Sequence, residues 1–426
     1  MIDYPYVIGF TGSIGRGCTE TCNLIMERMP QECIKISLSD ILIEKICETK
    51  KLKAKYNELK KLGMQELRNF LQEQGNKIRE KYEPSKLADL AIDKIKKMKE
   101  EGKLSEKNFI IIDSIRNIAE IEVLRRNFKT YIFAIYEDEE IRWKRLMMKY
   151  NKDYGAFLRD DKRDHEEKKK NGQQVDACVD CSDILIRNNM DIKNSEYDKS
   201  VYFDEKVNYY LQLIKQPMRT YPRIEETYMN MAYSMAAMSK CMQRKVGALI
   251  TTEDMEIVSL GYNDVPVNSQ ECKAKFKECY RKKRKKEILN QFNYCPICKK
   301  KLTYNKYCSK CNKSIDKDIF VDKDLDLCRS LHAEENAIVK AAKAGISLKN
   351  GTIYTTTFPC NLCANKIRNV GLKKVIFVEP YPSKDTIEIL TTSSKIEKAV
   401  EIELFEGVKS RAFFDLYKRI GEMEID

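Results

Sequence analysis

Histidine is almost absent from this chain, since only His165 and His332 occur among its 426 residues. A metal site built mainly from histidines is therefore excluded. No apolar run approaches the roughly 20 residues that a membrane-spanning helix requires, so we expect no such helix. The first residues also lack a basic stretch followed by an apolar one, and we therefore expect no secretory leader.

Cysteine, in contrast, is abundant, with 16 residues. Such a number in a small secreted protein would indicate disulfides, but this chain is long and groups several cysteines in C-x-x-C pairs. This grouping predicts metal binding in a cytoplasmic protein. The length predicts two or three domains, because it exceeds what one hydrophobic core usually supports.

The net charge is +13, with 78 lysines and arginines against 65 aspartates and glutamates. An excess of this kind suits phosphate-bearing ligands or nucleic acid. Compositional drift is the alternative explanation, and charge alone does not distinguish a nucleotide from a polynucleotide.

The strongest motif is an H-x-E sequence, His332 to Glu334, followed downstream by a P-C-x-x-C sequence that contains Cys360 and Cys363. One imidazole and two thiolates leave the fourth position of a tetrahedral zinc ion open for water, as in catalytic sites. Bound zinc lowers the pKa of that water, and Glu334 is placed to exchange protons with it without binding the metal. The combined pattern resembles that of the zinc deaminases. A structural Cys-x-x-Cys beside an unrelated histidine is the alternative.

The surrounding sequence predicts how these groups are held. A buried helix is predicted to begin at the H-x-E motif, and residues 352–356 are predicted to form a strand that leads to Pro359. A second helix is predicted over residues 363–370. Both sets of ligands would then lie at helix N-termini, where the free N–H groups favour thiolate.

The N-terminal sequence has a different pattern, in which an apolar strand at residues 6–10 leads into a glycine-rich turn and a helix. The turn keeps the spacing of a phosphate-binding G-x-x-x-x-G-K-[ST] loop, but Cys18 occupies the lysine position. The candidate nucleotide-binding residues are Gly12, Gly15, Arg16, Gly17, Thr19 and Asp113. Thr19 is the candidate Mg²⁺ contact, Arg16 the candidate replacement for lysine, and Asp113 the carboxylate that ends a buried strand.

Residues 1–216 resemble the P-loop kinases of nucleotides and of dephospho-coenzyme A. The resemblance rests on the turn at 12–19, the sequence from Asp113 to Asn117, and a charged stretch from Arg159 to Glu167. It implies a parallel sheet wrapped by helices, with a nucleotide and Mg²⁺ as ligands. Because Cys18 replaces the lysine, we interpret the domain as a nucleotide-binding or nucleotide-sensing module. A kinase relic that only packs or oligomerises is the alternative.

Pro217 and Pro222 mark the predicted linker to a second domain, residues 217–426. From Arg223 onward the sequence resembles the cytidine and deoxycytidylate deaminase family, which implies a three-layer α/β/α fold and an overall α/β class. In that family the Asn of a G-Y-N sequence holds the substrate, a role that Asn263 inherits. Arg244 is a candidate for the substrate phosphate, with a surface ion pair as the alternative. Tyr381 lies where relatives have an aromatic near the base, with plain packing as the alternative.

An insertion at residues 268–328 contains two further Cys-x-x-Cys pairs. Four thiolates close a tetrahedral shell, so they predict a structural zinc ribbon, with ligands Cys295, Cys298, Cys308 and Cys311. The basic run at 280–286 is either a solvated face, which we favour, or a site for nucleic acid or polyphosphate. Whether Cys272, Cys279 and Cys328 belong to another zinc site stays open. The lone pair Cys178 and Cys181 is interpreted as packing.

The complete architecture resembles the bacterial anti-phage dCTP/dCMP deaminases. This resemblance implies a zinc-dependent hydrolase that converts dCTP or dCMP to dUTP or dUMP, assembles as a homo-oligomer, and responds to a nucleotide effector or another trigger. Three alternatives share some of these residues: a housekeeping dCMP deaminase, a deaminase of tRNA or single-stranded DNA, and a non-catalytic nucleotide-sensing protein. Nucleic acid is the less favoured partner, and no membrane partner is expected.

Overall fold

The computed structural model describes residues 4–62, 64–165, 172–188, 199–291, 307–308, 310, 313–314, 328–378, 384–392 and 399–417. Within these residues the strands are β1 (Tyr6–Thr11), β2 (Cys33–Ser37), β3 (Phe109–Ile115), β4 (Thr130–Tyr136), β5 (Ile184–Arg187), β6 (Gly247–Thr251), β7 (Ile257–Tyr262), β8 (Tyr307–Cys308), β9 (Lys313–Ser314), β10 (Thr352–Thr355), β11 (Lys374–Phe377), β12 (Glu401–Leu404) and β13 (Gly407–Val408).

The helices in the same residues are α1 (Cys18–Arg28), α2 (Leu38–Cys47), α3 (Lys50–Leu62), α4 (Met64–Lys81), α5 (Lys86–Glu100), α6 (Ile118–Asn127), α7 (Glu139–Leu146), α8 (Tyr154–His165), α9 (Val175–Asp180), α10 (Lys199–Lys215), α11 (Ile224–Met238), α12 (Cys272–Phe276), α13 (Tyr280–Gln291), α14 (Ala333–Lys343), α15 (Asn361–Asn369), α16 (Lys384–Thr391) and α17 (Ser410–Tyr417). The chain divides into two compact units. The first unit consists of Met1–Glu226 and Glu406–Asp426, and the second unit of Thr227–Phe405.

The first unit is built on a six-stranded sheet with the order β13-β5-β4-β1-β3-β2. Strands β1 to β5 are parallel, and β13 runs antiparallel to β5. These strands are almost continuously apolar, because helices cover both faces of the sheet. Helices α2, α5 and α6 pack on one face, and α1, α10 and α17 on the other. The parallel sheet expected from the sequence is therefore present.

The glycine-rich turn follows the central strand of this sheet. β1 lies between β3 and β4, so consecutive connections diverge there and leave a crevice at the carboxyl end of β1. Gly15 and Gly17 adopt left-handed φ angles of 78° and 92°. A Cβ on Gly17 would also lie 2.2 Å from the side-chain nitrogen Nδ2 of Asn188, so the turn requires glycine at this position.

The C-terminal segment of the chain belongs to the first unit, and the sequence analysis assigned it wrongly to the second domain. β13 adds to the edge of the first sheet beside β5. Ala412 and Leu416 on α17 are fully buried in the core under that sheet. The buried ammonium of Lys409 donates to the carbonyl of Val179 at 2.7 Å. Chain order alone does not show this return, because a two-residue strand has no recognisable periodicity.

The second unit contains a five-stranded sheet with the order β12-β11-β10-β6-β7. β10, β11 and β12 are parallel, whereas β6 is antiparallel to both β7 and β10. Helices α14, α15 and α16 bury their apolar residues against one face of this sheet. On the other face the rings of Tyr228 and Tyr354 pack edge to face at 5.4 Å, and Gly247 closely approaches the backbone of Ala232.

Helix α14 docks on β7 at van der Waals distance. A Cβ on Gly261 would lie 2.1 Å from the carbonyl oxygen of Ala333, so only glycine permits this approach. The side chain of Asn336 donates to the carbonyl of Tyr262 at 2.9 Å. From the strand, the hydroxyl of Ser259 donates to a helix carbonyl, also at 2.9 Å. The first turns of α14 are therefore held at a defined position on the sheet.

The insertion is described only in part. β8 and β9 pair as a short antiparallel hairpin that contains Cys308. The other predicted ribbon ligands, Cys295, Cys298 and Cys311, lie outside the described residues, as does Tyr381. The predicted basic run forms the first turns of α13. Among the described helices none is long and apolar enough to cross a membrane.

We predict that Gly261→Ala lowers the free energy of unfolding of the second unit by about 3 kcal/mol, because the added methyl group overlaps the backbone of α14. Gly345→Ala is the matched control: Gly345 has a left-handed φ of 70° but no heavy atom within 4 Å of its Cβ position. It should cost only about 1 kcal/mol, for the backbone conformation. Urea denaturation of both variants measures the difference, and equal losses would contradict the close approach.

Candidate functional site

The three predicted metal ligands come together in the second unit. His332 Nδ1 lies 3.3 Å from Cys360 Sγ and 3.5 Å from Cys363 Sγ. All three ligand atoms are within 4.8 Å of one another, the one group of this kind that the described residues form. Cys360 and Cys363, which lie 28 and 31 residues after His332 in the sequence, are thus brought next to it.

The local structure explains this convergence. His332 is the N-cap of α14 and Cys360 is the N-cap of α15, so both helices begin at the cluster, as predicted. The Glu335 carboxylate accepts from the backbone N–H of His332 at 3.4 Å and pairs with Lys366 of α15 at 3.1 Å. These contacts tie the first turn of one helix to the other.

The donor set fits a zinc ion. Bond lengths of about 2.0–2.1 Å to nitrogen and 2.3 Å to sulfur in a tetrahedral arrangement place such ligand atoms about 3.6 Å apart. The observed separations of 3.3 and 3.5 Å agree with this spacing. Three protein ligands leave the fourth position for water or substrate, as in catalytic zinc sites.

Hydrogen bonds within the cluster favour thiolate formation. The pKa of Cys360 is lowered, because the Cys363 thiol and the His332 imidazole both donate hydrogen bonds to its sulfur. The same bond to Cys360, together with burial, raises the pKa of Cys363. The hydrogen bond to Cys360 also raises the pKa of His332. The two cysteines therefore share a proton, which metal binding would release.

Glu334 is the second residue of α14 and is only 3% exposed. The Thr355 hydroxyl is shared between Glu334 Oε1, at 3.4 Å, and the carbonyl of Thr357, at 3.0 Å, and Glu334 Oε2 accepts from the Cys363 thiol at 3.7 Å. Burial raises the pKa of this carboxyl, because few donors replace the lost water. A carboxyl with raised proton affinity beside a metal site is suited to accept and return a proton.

A cavity of about 300 Å³ opens onto this cluster. Its lining includes His332, Glu334, Cys360 and the predicted residues Arg244 and Asn263. Cys279 and Cys328, whose role the sequence left open, also line it, and further lining residues that were not predicted include Gln243, Arg281, Ser330, Thr357 and Phe358. No short motif marks them, although the basic run that contains Arg281 was noticed.

Asn263 occupies the cavity wall, but its amide group is bonded to the backbone. Its oxygen accepts from the N–H of Val246 at 2.8 Å, and its nitrogen donates to the carbonyl of Arg244 at 2.8 Å. The side chain therefore fixes the segment that carries Arg244 at the cavity. Arg244 itself is exposed.

A second cavity, of about 510 Å³, lies in the first unit around the glycine-rich turn. Gly12, Gly15, Gly17 and Thr19 line it, in agreement with their predicted positions at a common site. Its cationic lining residues are Arg68, Arg116, Arg145 and Lys149. Arg68 lies on α4, Arg145 lies on α7 and Lys149 follows α7, which is why the loop motif did not reveal them.

The other predicted residues of this loop differ in their surroundings. The Thr19 hydroxyl donates to the buried carboxylate of Asp113 at 3.3 Å, so these two candidate groups are in contact. Arg16, in contrast, is fully buried with its guanidinium 5.2 Å from the ring centre of Tyr136, and it is absent from the described lining of the cavity. Burial raises the pKa of Cys18 to about 12, so this thiol carries no charge toward the cavity.

Asp164 of α8 organises the cations beside the loop. Its fully buried carboxylate accepts from Arg68 at 2.6 Å, from Arg116 at 3.1 Å and from the backbone N–H of Ile14 at 3.1 Å. Gln72 adds a fourth bond at 3.1 Å. Although burial raises its pKa, the two guanidinium groups lower the pKa of Asp164 below its ordinary value. The carboxylate thus stays charged and holds both arginines at the cavity.

Known proteins resemble the second unit and its flanks. Residues 222–379 match the model of the cytidine and deoxycytidylate deaminase zinc-binding region. The deoxycytidylate deaminase of Schizosaccharomyces pombe is 27% identical over 200 residues, which cover 47% of this chain and 48% of that protein. The chain therefore spans about half the length of this curated relative.

The deoxycytidylate deaminase of Enterobacteria phage T2 is 32% identical over 158 residues, which cover 36% of this chain and 79% of the phage protein. A solved dCMP deaminase structure from cyanophage S-TIM5, in complex with dCMP and dUMP, is 24% identical and covers 44% of this chain and 100% of that chain, with a TM-score of 0.28. On the family model and the phage T2 relative, this chain belongs to the cytidine and deoxycytidylate deaminase family.

Proposed function

We propose that the second unit catalyses the hydrolytic deamination of deoxycytidine nucleotides, converting dCMP or dCTP to dUMP or dUTP. The observation that carries this proposal is the meeting of one imidazole, two thiols and a buried carboxylate at the wall of one cavity. The relatives described above are deoxycytidylate deaminases, which supports the same substrate class.

In this proposal His332, Cys360 and Cys363 hold the zinc ion. When bound, the ion acts as a Lewis acid and lowers the pKa of a water molecule toward neutrality. Water adds to C4 of the cytosine ring, Glu334 accepts its proton, and the ring nitrogen N3 receives a proton from Glu334. The hydroxyl now on C4 gives its proton through Glu334 to the exocyclic amino group, the C4–N bond breaks, and ammonia leaves as the C4 carbonyl of uracil forms.

Glu334 suits this proton transfer because of its surroundings. Burial raises its pKa, so the carboxylate binds a proton more readily than an exposed glutamate does. The Thr355 hydroxyl orients one oxygen, which leaves the other oriented toward the Cys363 side of the metal cluster. Phe358 and Thr357 form the cavity wall, and Arg244 is the proposed contact for the substrate phosphate.

We further propose a second, structural zinc ion in the insertion, held by Cys295, Cys298, Cys308 and Cys311. The support is the spacing of two Cys-x-x-Cys pairs, which provides four thiolates for a closed tetrahedral shell. The pairing of β8 with β9 places a hairpin at Cys308, which is compatible with a ribbon.

For the first unit we propose the binding of a nucleotide with Mg²⁺, without phosphoryl transfer. The supporting observations are the glycine-lined cavity, the cations that Asp164 holds there, and the contact of Thr19 with Asp113. The neutral thiol of Cys18 provides no substitute for the lysine that neutralises terminal phosphates during transfer.

The biological outcome that we propose is depletion of deoxycytidine nucleotides during phage infection, by a homo-oligomer whose activity responds to a nucleotide effector. The support is the likeness of the two-part architecture to anti-phage dCTP/dCMP deaminases. A housekeeping dCMP deaminase would be active in uninfected cells, so the nucleotide pools of such cells distinguish it from a defence enzyme.

Glu334→Gln should reduce kcat for deamination by about 10²- to 10⁴-fold, because the proton acceptor is lost while the metal ligands remain. Ammonia release and product identity are measured on zinc-loaded protein with cytidine, dCMP, dCDP, dCTP and a cytosine-containing oligonucleotide. Glu388→Gln, a change of an exposed glutamate of α16, is the control and should retain activity within about threefold.

Turnover of the oligonucleotide alone by the wild-type protein would contradict the proposed substrate class. Cells that express wild-type or Glu334→Gln protein extend the experiment to the biological role. We expect equal dCTP pools before phage infection and a smaller pool with the wild type afterwards. A smaller pool already before infection would instead support the housekeeping function.

Zinc content separates the two proposed metal sites. Wild-type protein should contain about two zinc ions per chain, and Cys363→Ser or Cys298→Ser should each leave about one, because each removes a ligand from a different tetrahedral shell. Cys47→Ser in the first unit is the control and should retain both. Elemental analysis by mass spectrometry gives the stoichiometry, and an unchanged content in Cys298→Ser would refute the ribbon site.

Arg116→Ala should weaken the binding of Mg²⁺-ATP to the protein by about tenfold or more, because a charged hydrogen-bond donor to phosphate is lost. Arg126→Ala, which removes an exposed arginine of α6 paired with Glu122, is the control and should leave the dissociation constant unchanged. Calorimetric titration measures both. ATP hydrolysis or transfer of its phosphate by the wild type would contradict the proposal of binding alone.

A further inference from the structure

Arg281 is the second residue of α13 and lines the same cavity as Glu334 and His332. It is half-buried, so part of its long side chain lies against protein and not in solvent. The basic run was interpreted as a solvated face, but this first arginine of the run has a different position. It places a guanidinium group at the wall of the proposed active site.

The start of α13 is held firmly at this place. The rings of Phe276 and Tyr280 pack at a centroid distance of 4.8 Å. The guanidinium of Arg329 lies 5.1 Å from the first ring centre and 5.7 Å from the second, a cation–π arrangement. Arg329 precedes His332 by only three residues. The segment that carries Arg281 is thus attached to the segment that carries the metal ligand.

Two neighbouring charges of the run have carboxylate partners, whereas Arg281 has none among the described residues. Arg284 pairs with Glu287 at 2.6 Å, and Lys286 pairs with Glu278 at 3.3 Å. Within the described part of the chain, Arg281 has neither an ion pair nor a hydrogen bond from its side chain. A half-buried guanidinium with free donors at a cavity wall is suited to an anionic ligand.

We propose that Arg281 binds the phosphate of the deoxycytidine nucleotide, and this inference rests on the proposed function. Arg244 lines the same cavity, so a phosphate dianion bound there would lie near two arginines. The planar guanidinium forms paired hydrogen bonds with phosphate oxygens, which a nucleoside without phosphate does not offer. Arg281 therefore makes the site selective for nucleotides over nucleosides.

Calorimetric titration of zinc-loaded protein with dUMP and with deoxyuridine, the products, tests this assignment without requiring turnover. Arg281→Ala should weaken dUMP binding by about 10- to 100-fold, the effect of losing a charged hydrogen bond, and leave deoxyuridine binding unchanged. Arg281→Lys should recover part of the affinity, since it keeps the charge but not the fork. Arg284→Ala, on the same helix but paired with Glu287, should match the wild type.

Kinetics with dCMP and deoxycytidine keep the two proposals separate. Wild-type protein that binds dUMP but deaminates neither substrate would overturn the proposed deamination, and the titrations would still decide the role of Arg281. Equal losses of dUMP and deoxyuridine affinity in Arg281→Ala would show a structural role and overturn the phosphate assignment. Unchanged dUMP affinity in this variant would overturn it as well.

Discussion

The contact between the backbone of α14 and strand β7 is the constraint on which the candidate metal site depends. Because Gly261 has no side chain, the carbonyl of Ala333 approaches the strand directly. This position places His332 at the helix end and Glu334 inside the protein. α15 then needs to supply only two thiols at its own first turn to complete the ligand set. One absent methyl group thus governs the placement of three functional groups.

Two buried carboxylates illustrate how their donors determine what such groups do. Asp164 receives four hydrogen bonds, two of them from guanidinium groups, and its pKa falls below the ordinary value. Glu334 receives one hydroxyl and one weak thiol donor, and its pKa rises. Because hydrogen bonds from the protein replace the lost water around Asp164, this carboxylate stays charged and has a structural role. Glu334 has fewer donors, and its carboxyl group can therefore exchange a proton.

Much of the fold could be predicted from local sequence. The strand predicted at residues 6–10 coincides with β1, and the helices at the two zinc-ligand motifs begin within two residues of the expected positions. These elements have strong apolar periodicity or buried apolar runs, which local sequence expresses directly. The assignment of β13 and α17 to the second domain was wrong. These elements are stabilised in the first unit by burial against residues about 200 positions earlier in the chain, which local sequence does not reveal.

For the site, the sequence by itself determined the metal ligands and Glu334 as candidates, since their chemistry is carried by residue type and short spacing. It also indicated the loop around Gly12 and Thr19 through the same kind of spacing. Only the tertiary structure brought Thr355 to Glu334, Asp164 to the arginines beside the loop, and Arg281 to the cavity. It also placed the guanidinium of Arg16, a candidate replacement for the lysine, over the ring of Tyr136. The reason is physical: a covalent spacing constrains neighbours along the chain, whereas the surroundings that set a pKa or orient a charge are assembled by packing between distant segments.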